Sequence, residues 1–509
     1  MARNSRADAG PVREEHRRTV IIGSGVGGSI AAFRLAEAGV DNVVLERGRR
    51  WPIAAEGAAS PWGRRLLWGR TPRPLPRPRA GVTATAARLV MAGAVAAARG
   101  RTGPLEVLVH PDLTVACGAA VGGGTLVYGG VLGQPHPGPF SRVFPTELDY
   151  GELDTVYYPR ARRRMISGAF PESLLDHPQY GDSRLWHRAL TTAGLQIAPI
   201  VGNFDFETIE AELDGRAAPA VIVGKYTLSG CVSGAKMSVD RTYLARAEAT
   251  GRTEVRPLHL VTGLSEDQHG RYRVRVDRLN PGGAVVERLV LVCDQLVIAA
   301  GAVHTPRLLV TARDNGELPR LNEHVGQQWG TNGDQACFLV TSAIRIRRGR
   351  PQAGPPSYFG FDHGGALSVL HGPIAAPRGL VFILGMGLSD GSGQWTYRPA
   401  SGTAHLEWDA PNDATARRQF TGAVRKIAAQ IPTIKMIDPI GPHAAHPLGG
   451  AVLGKATDLY GRLHGYRGLY CLDGALMPGS TAAVNPVLTI AAIVERAMDH
   501  IVNDFTDGR

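Results

Sequence analysis

The stretch RTVIIGSGVGGSIAAFRLAEAGVDNVVLERGRR, residues 18–50, constrains the fold of this chain more than any other. An apolar run, Val20 to Ile22, gives way to Gly23-x-Gly25-x-x-Gly28. A helical pattern through Ile30, Phe33 and Leu35 then ends at Gly39, and a second apolar run, Val43 to Leu45, finishes on Glu46. The spacing predicts strand, helix, strand. In that frame Gly23 permits the tight turn, Gly25 lets a pyrophosphate approach the backbone, and Gly28 lets the helix pack close to the sheet. The helix N-terminus attracts the phosphates, and Glu46 is placed to accept hydrogen bonds from a ribose. A lone GxGxxG often marks only a glycine-rich turn. Set in β-α-β with a terminal acid it reads as a dinucleotide site, and an acid at 46 disfavours NADP.

The choice between FAD and NAD comes from distant parts of the chain. Residues 295–310, QLVIAAGAVHTPRLLV, predict a strand ending in Ala300-Gly301 before a helix, and LYCLDG at 469–474 predicts a strand ending in Asp473-Gly474. Strands that end in small residues and return to one cofactor suit a large flavin. From Val487 the apolar positions 487, 490, 494, 497 and 501 follow helical spacing. Asn485 stands where an N-cap belongs and Pro486 where a first helical residue belongs. Such a helix start, aimed at a flavin ring, would stabilise the negative charge of hydride acceptance. Equally, Asn485 could do no more than cap its helix.

Length and charge narrow the setting. At 509 residues two or more lobes are expected. The net charge of +11 is concentrated: residues 1–104 hold 18 Arg against 7 Asp/Glu, and the remainder balances at 38 of each sign. Nine arginines and no acid lie between Trp62 and Arg101. That run reads as a solvated loop or lid, or more sharply as a surface for peripheral membrane contact through 62–101 or for an acidic partner. No nucleic-acid module accompanies the charge. Arg17-Arg18 before TVIIGSG reads as part of a first strand rather than a targeting signal. Residues 82–99, with Arg88 near the middle, suggest a surface helix rather than a membrane span. Five scattered cysteines without a C-x-x-C pair argue against disulfides and zinc. The chain reads as cytoplasmic and monomeric.

GPHAAHPLGGAVLG, residues 441–454, places two histidines three apart. Pro447 interrupts any helix that would align them, and no third ligand is evident, so no metal site is expected. His443 is read as structural.

Several blocks in order resemble the glucose–methanol–choline (GMC) oxidoreductases, and within them the bacterial cholesterol oxidase branch. They are VIIGSGVGGSIAAFRLAEAGV, VGGGTLVYGG (121–130), GAKMSVDRTYLARAEATG (234–251), LLVTARDNGELPRLNEHVGQQWGTNG (308–333), HPLGGAVLGKATDLYGRLHGY (446–466), GLYCLDGALMPGS and VNP. The resemblance implies an α/β fold of two interleaved parts. A Rossmann-like FAD-binding domain would comprise 1–50, 105–160, 235–328 and 470–509. A substrate domain on a mostly antiparallel sheet would comprise 51–104, 161–234 and 329–469. It implies non-covalent FAD and alcohol oxidation by hydride transfer to the flavin. It also implies O2 as the usual acceptor and a bulky apolar substrate of sterol, terpenoid or polyketide type. His446 and Asn485 would face the reacting alcohol. Gly23, Gly25, Gly28 and Glu46 would hold the adenosine and pyrophosphate. Gly123, Gly124, Tyr128 and Gly129 would run beside the flavin, and Val261 would meet the adenine by its backbone. Asp473, Gly474 and Pro486 would complete the cofactor site. The residue types agree: a histidine can take a hydroxyl proton near neutral pH, and an amide can fix the substrate oxygen.

Three departures stand out. Tyr128 replaces the asparagine usual in this family. The position of the glutamate with which steroid oxidases of this branch shift a ring double bond falls at or beside Leu370, and 364–389 contain no Asp or Glu. Oxidation without isomerisation is therefore expected; His371 could substitute as a base, although a lone histidine is more often structural. The Arg-rich 51–104 replaces the family's substrate-entry loops and suggests a different substrate, with Arg64, Arg65, Arg70 and Arg73 as candidates for meeting an acidic group. These changes keep a second reading open, a redox-neutral isomerisation or cyclisation, or a desaturation, in natural-product biosynthesis. A fold kept only for binding would not require the His446/Asn485 pair.

Overall fold

The computed structural model describes residues 12–51, 67–69, 101–228, 230–341, 354, 356–372, 380–438 and 441–506. Most of the Arg-rich segment, with Arg64, Arg65, Arg70, Arg73 and the expected helix over 82–99, lies outside the described residues.

The first sheet has seven strands. Its parallel centre aligns Thr253–Arg256, Asn42–Leu45, Arg13–Ile22, Val285–Ile298 and Leu469–Cys471. An antiparallel meander, Tyr272–Leu279 and His259–Glu266, extends it from the long strand Val285–Ile298. Parallel strands covered on both faces need apolar side chains on both; Val43, Val44 and Leu45, and Leu296, Val297 and Ile298, are all buried. The first strand begins seven residues before Val20. Its leading half, Arg13–Arg17, pairs with Leu289–Cys293, and Arg18 donates to the Phe505 carbonyl at 2.6 Å. The twin arginines are thus strand residues.

The helix Val26–Glu37 follows directly on Gly25, and Ala300 leads into the helix Gly301–Asp314. Pro306 lies inside that second helix and cannot donate to the carbonyl of Ala302. The Trp329 indole N–H takes that carbonyl instead, at 2.8 Å, so the helix continues unbroken.

A second, six-stranded sheet is antiparallel throughout, in the order Thr433–Ile437, Asp334–Thr341, Leu380–Gly387, Leu367–His371, Tyr358–Asp362, Gln196–Pro199. The helix Ala414–Ala428 buries Phe420, Val424 and Ile427 against one face. The other face carries Leu370, Phe382 and Leu384 toward the space between the sheets. Among the described residues no helix is long and apolar enough to cross a membrane.

Candidate active site

One cavity of about 1170 Å³ runs from the ends of the parallel strands to the antiparallel sheet. It exceeds the roughly 300–1,000 Å³ of ordinary small-ligand sites, leaving room for a large cofactor and a substrate together. Every residue expected at the site lines it except Gly28. A Cβ at Gly28 would meet the Gly23 carbonyl oxygen at 2.0 Å and Ala299 Cβ at 3.3 Å. Its place is the contact of helix with sheet, not the cavity.

The glycine wall leaves room for a cofactor. A Cβ built at Gly25, Gly124 or Gly301 would meet nothing within 4 Å, and all three face the cavity. Gly25 opens the helix Val26–Glu37, and no side chain caps it, so the first N–H groups of that helix are free for an anion. Glu46 is buried beside it. Its Oε2 accepts from Ser24 N at 3.2 Å and Ser24 Oγ at 2.7 Å, and its Oε1 accepts from Gly48 N at 2.7 Å. Asp473 accepts from Gly301 N, Ala475 N and Thr305 Oγ1 at 2.6–2.7 Å, joining two strand ends across the cavity floor. These residues fit a dinucleotide flavin.

At the opposite end His446 and Asn485 meet. Asn485 does not cap its helix: the helix Val487–Ile501 has Pro486 at its start and no side-chain cap. Its side-chain Nδ2 instead lies 3.3 Å from His446 Nε2, and its buried Oδ1 has no partner among the described residues. His446 Nδ1 lies 2.7 Å from Asp334 Oδ1, and Asp334 Oδ2 accepts the backbone N–H groups of Ala445 and His446 at 2.7 and 2.9 Å. The glycine pair behind His446 explains its own motif. Gly449 and Gly450 have φ of +88° and +96°, and a Cβ at Gly449 would stand 2.1 Å from the Gln328 carbonyl oxygen. Only glycine lets this loop lie flat on residues 328–330. His443 also lines the cavity, with Nδ1 3.0 Å from the Gly441 carbonyl oxygen.

Tyr128 is held by a hydrogen bond of its own. Its hydroxyl donates to Asn203 Oδ1 at 2.5 Å, and burial pushes its phenol pKa up, so it remains a neutral donor already engaged. Beneath it, buried Lys236 donates to the carbonyls of Leu126, Tyr128 and Tyr226 at 2.5–2.9 Å, and burial draws its ammonium down to about 8. Lys236 thereby fixes the Gly123–Gly129 wall. Leu370 is fully buried and faces the cavity. His371, its neighbour in the strand, points to the opposite side, against Trp186, and neither ring nitrogen has a partner among the described residues. It cannot serve the cavity as a base.

A second polar group on the cavity wall has no signal in the sequence. Arg47 Nη1 donates to Glu106 Oε2 at 2.6 Å, His304 Nε2 lies 2.7 Å from the same oxygen, and Cys117 Sγ lies 3.4 Å from it. Burial would raise the Glu106 carboxyl, but Arg47 and His304 hold it well below the usual range. Burial and Glu106 push the Cys117 thiol up to about 12. The ligand atoms of Glu106, Cys117 and His304 lie within 4.8 Å of one another, yet the Arg47 guanidinium already supplies their positive charge.

A parallel sheet with a glycine fingerprint, joined by one cavity to a His/Asn pair, defines an oxidoreductase of the alcohol oxidase and dehydrogenase class. Residues 404–493 match the model of the GMC oxidoreductase family. The chain is 28% identical to a cholesterol oxidase of Mycobacterium tuberculosis, over 94% of this chain and 90% of that protein. It is 23% identical to a cholesterol oxidase of Acinetobacter baumannii, over 95% of this chain and 94% of that one. The crystal structure of pyridoxine 4-oxidase from Mesorbium loti superposes with a TM-score of 0.63 at 15% identity, covering 95% of this chain and 98% of that chain. Residues 404–493 thus carry the C-terminal domain of the GMC oxidoreductases, and the chain over most of its length is similar to members of that family, flavoproteins that generally bind FAD and act on a small-molecule substrate with an electron acceptor such as O2.

Proposed function

We propose that this enzyme oxidises a hydroxyl group on a bulky, apolar substrate of sterol, terpenoid or polyketide type, using non-covalently held FAD, and does so without shifting a ring double bond. The observation that carries the reading is the His446/Asn485 pair set against an apolar wall of Leu370, Phe382 and Leu384 at one end of a cavity whose other end is glycine-lined. Gly25, Gly124, Gly301, Glu46 and Asp473 are the residues that would hold the cofactor. When bound, FAD supplies the two-electron acceptor that protein side chains lack.

The side chains supply orientation and a proton path. The substrate hydroxyl lies against His446 Nε2, which takes its proton, while Asn485 Nδ2 donates to the substrate oxygen. The apolar wall excludes water from the carbinol carbon. Cys117, with its raised thiol pKa and its contact with Glu106, is a poor candidate for a thioether to flavin, which favours non-covalent binding. O2 is the acceptor this reading assigns, and the five free cysteines suit a cytoplasmic location.

The test is anaerobic mixing of the purified enzyme with hydroxylated sterols, terpenoids and polyketides, following flavin absorbance. Oxidation bleaches the flavin, and admitted O2 restores it. Substrate conversion with the flavin still yellow would replace this reading with redox-neutral chemistry.

A further inference from the structure

We infer that Asp334 is a positioning residue that fixes His446 in the tautomer protonated on Nδ1, leaving the Nε2 lone pair toward the cavity. The inference rests on the proposed oxidation for its purpose, but not for its geometry.

Asp334 opens the strand Asp334–Thr341, and its side chain is wholly buried. A carboxylate only accepts hydrogen bonds, and here each oxygen is assigned. Oδ2 takes the N–H groups of Ala445 and His446, and Oδ1 faces His446 Nδ1 at 2.7 Å. The proton of the neutral imidazole therefore sits on Nδ1. Nε2 then carries the lone pair, which Asn485 Nδ2 faces at 3.3 Å until a substrate hydroxyl takes that place. That arrangement also explains why Asn485 Oδ1 is the unpartnered atom.

In the proposed reaction the substrate O–H bond breaks and its proton forms an N–H bond at Nε2. The carbinol C–H bond would break and the C=O bond form, with bound FAD supplying the two-electron acceptor. The imidazolium produced is stabilised by Asp334 at its far nitrogen. The other titratable groups facing this corner are His443 and Asp413, and Asp413 is engaged by the hydroxyls of Thr331 and Ser389 at 2.7 Å each.

Asp334→Asn separates positioning from mere packing. The two backbone N–H groups oblige the amide oxygen to occupy the Oδ2 place, so the amide N–H₂ faces His446 Nδ1. That nitrogen must then present its lone pair, and the proton moves to Nε2, where it blocks proton acceptance. The size and shape of residue 334 are unchanged.

The experiment is nitrogen-15 NMR of the histidine-labelled holoenzyme, with His446→Gln used to identify the His446 signals. In the wild type His446 should show a protonated Nδ1 and an unprotonated Nε2, and Asp334→Asn should reverse the pair. The same variant should lower kcat by about 10³–10⁴-fold with little change in KM, the range general-base loss and a wrong histidine tautomer produce. A wild-type enzyme protonated on Nε2, or an unchanged tautomer in Asp334→Asn, overturns the inference. The wild-type spectrum alone decides it should the variant fail to fold. If the tautomers are as stated but no alcohol bleaches the flavin, the positioning stands and the proposed oxidation falls.

Discussion

Asn485 Nδ2 lies 3.3 Å from His446 Nε2, although 39 residues separate the two in the chain. One side chain leaves a loop pinned by Gly449 and Gly450, and the other leaves the start of a fifteen-residue helix. Neither has room to drift, so the pair is preorganised rather than assembled by substrate. His446→Gln keeps a hydrogen-bonding side chain but removes the base. We expect the rate of anaerobic flavin bleaching to fall about 10²–10⁴-fold, with flavin content unchanged. Bleaching at the wild-type rate would remove His446 from the chemistry.

Gly25 and Gly27, two residues apart, should respond in opposite ways. A Cβ at Gly25 meets nothing within 4 Å among the described residues, whereas one at Gly27 stands 1.7 Å from the Leu472 carbonyl oxygen. Gly25→Ala should leave the melting temperature of the cofactor-free protein nearly unchanged. It should weaken FAD binding by about 1–3 kcal/mol, the usual cost of an extra methyl in a filled site, or roughly 5–150-fold in Kd. Gly27→Ala should destabilise the protein whether or not FAD is present, because helix and strand must separate. Thermal melts with and without added FAD distinguish the two. Equal behaviour would mean that the space beside Gly25 is not a cofactor site.

These contrasts show what the sequence could and could not carry. The fingerprint at 23–28 and the strand ends at Ala300-Gly301 and Asp473-Gly474 are local, so spacing exposes them, whereas the HPLGG block took its meaning only from the resemblance to the GMC oxidoreductases. Asn485 has the right residue type for a cap, but tertiary contact with His446 overrode the local option. Arg47, Glu106, Cys117 and His304 come together only because a hairpin and a helix flank the same cavity, and no periodicity announces that. Asp334 is 112 residues from His446. The orientation of His371 was accessible in principle: in a strand, neighbours face opposite ways, so a cavity-facing Leu370 puts His371 in the core.

That core histidine gives the enzyme an acid weakness unrelated to catalysis. Burial draws His371 down to about 4, whereas in the unfolded chain it titrates near about 6.5. Between those values the unfolded state binds more protons, so stability falls as pH falls from 6.5 toward 4. The full loss is about 3 kcal/mol at 1.36 kcal/mol per pKa unit. His371→Phe cannot be protonated, so its stability relative to wild type should improve by that amount across the same window, read from denaturant midpoints at several pH values. Activity at pH 7 should be retained. A stability difference independent of pH would mean the imidazole is solvated or paired.

Leu370 decides the fate of an unsaturated product. After oxidation of a β,γ-unsaturated alcohol, conjugation requires a base to remove the proton between the carbonyl and the double bond and return it at the far alkene carbon. Leu370 cannot do this, and among the described residues no carboxylate replaces it on the apolar wall formed with Phe382 and Leu384. The wild type should therefore release the unconjugated ketone. Leu370→Glu places a carboxyl there at a cost of about 1–3 kcal/mol for an unpaired buried polar group, and the apolar surroundings should raise its pKa toward the range useful for proton transfer. The variant should melt at a lower temperature and yield conjugated enone, followed by its ultraviolet absorbance during turnover. Conjugated product from the wild type at the rate of oxidation would show that another group supplies the base.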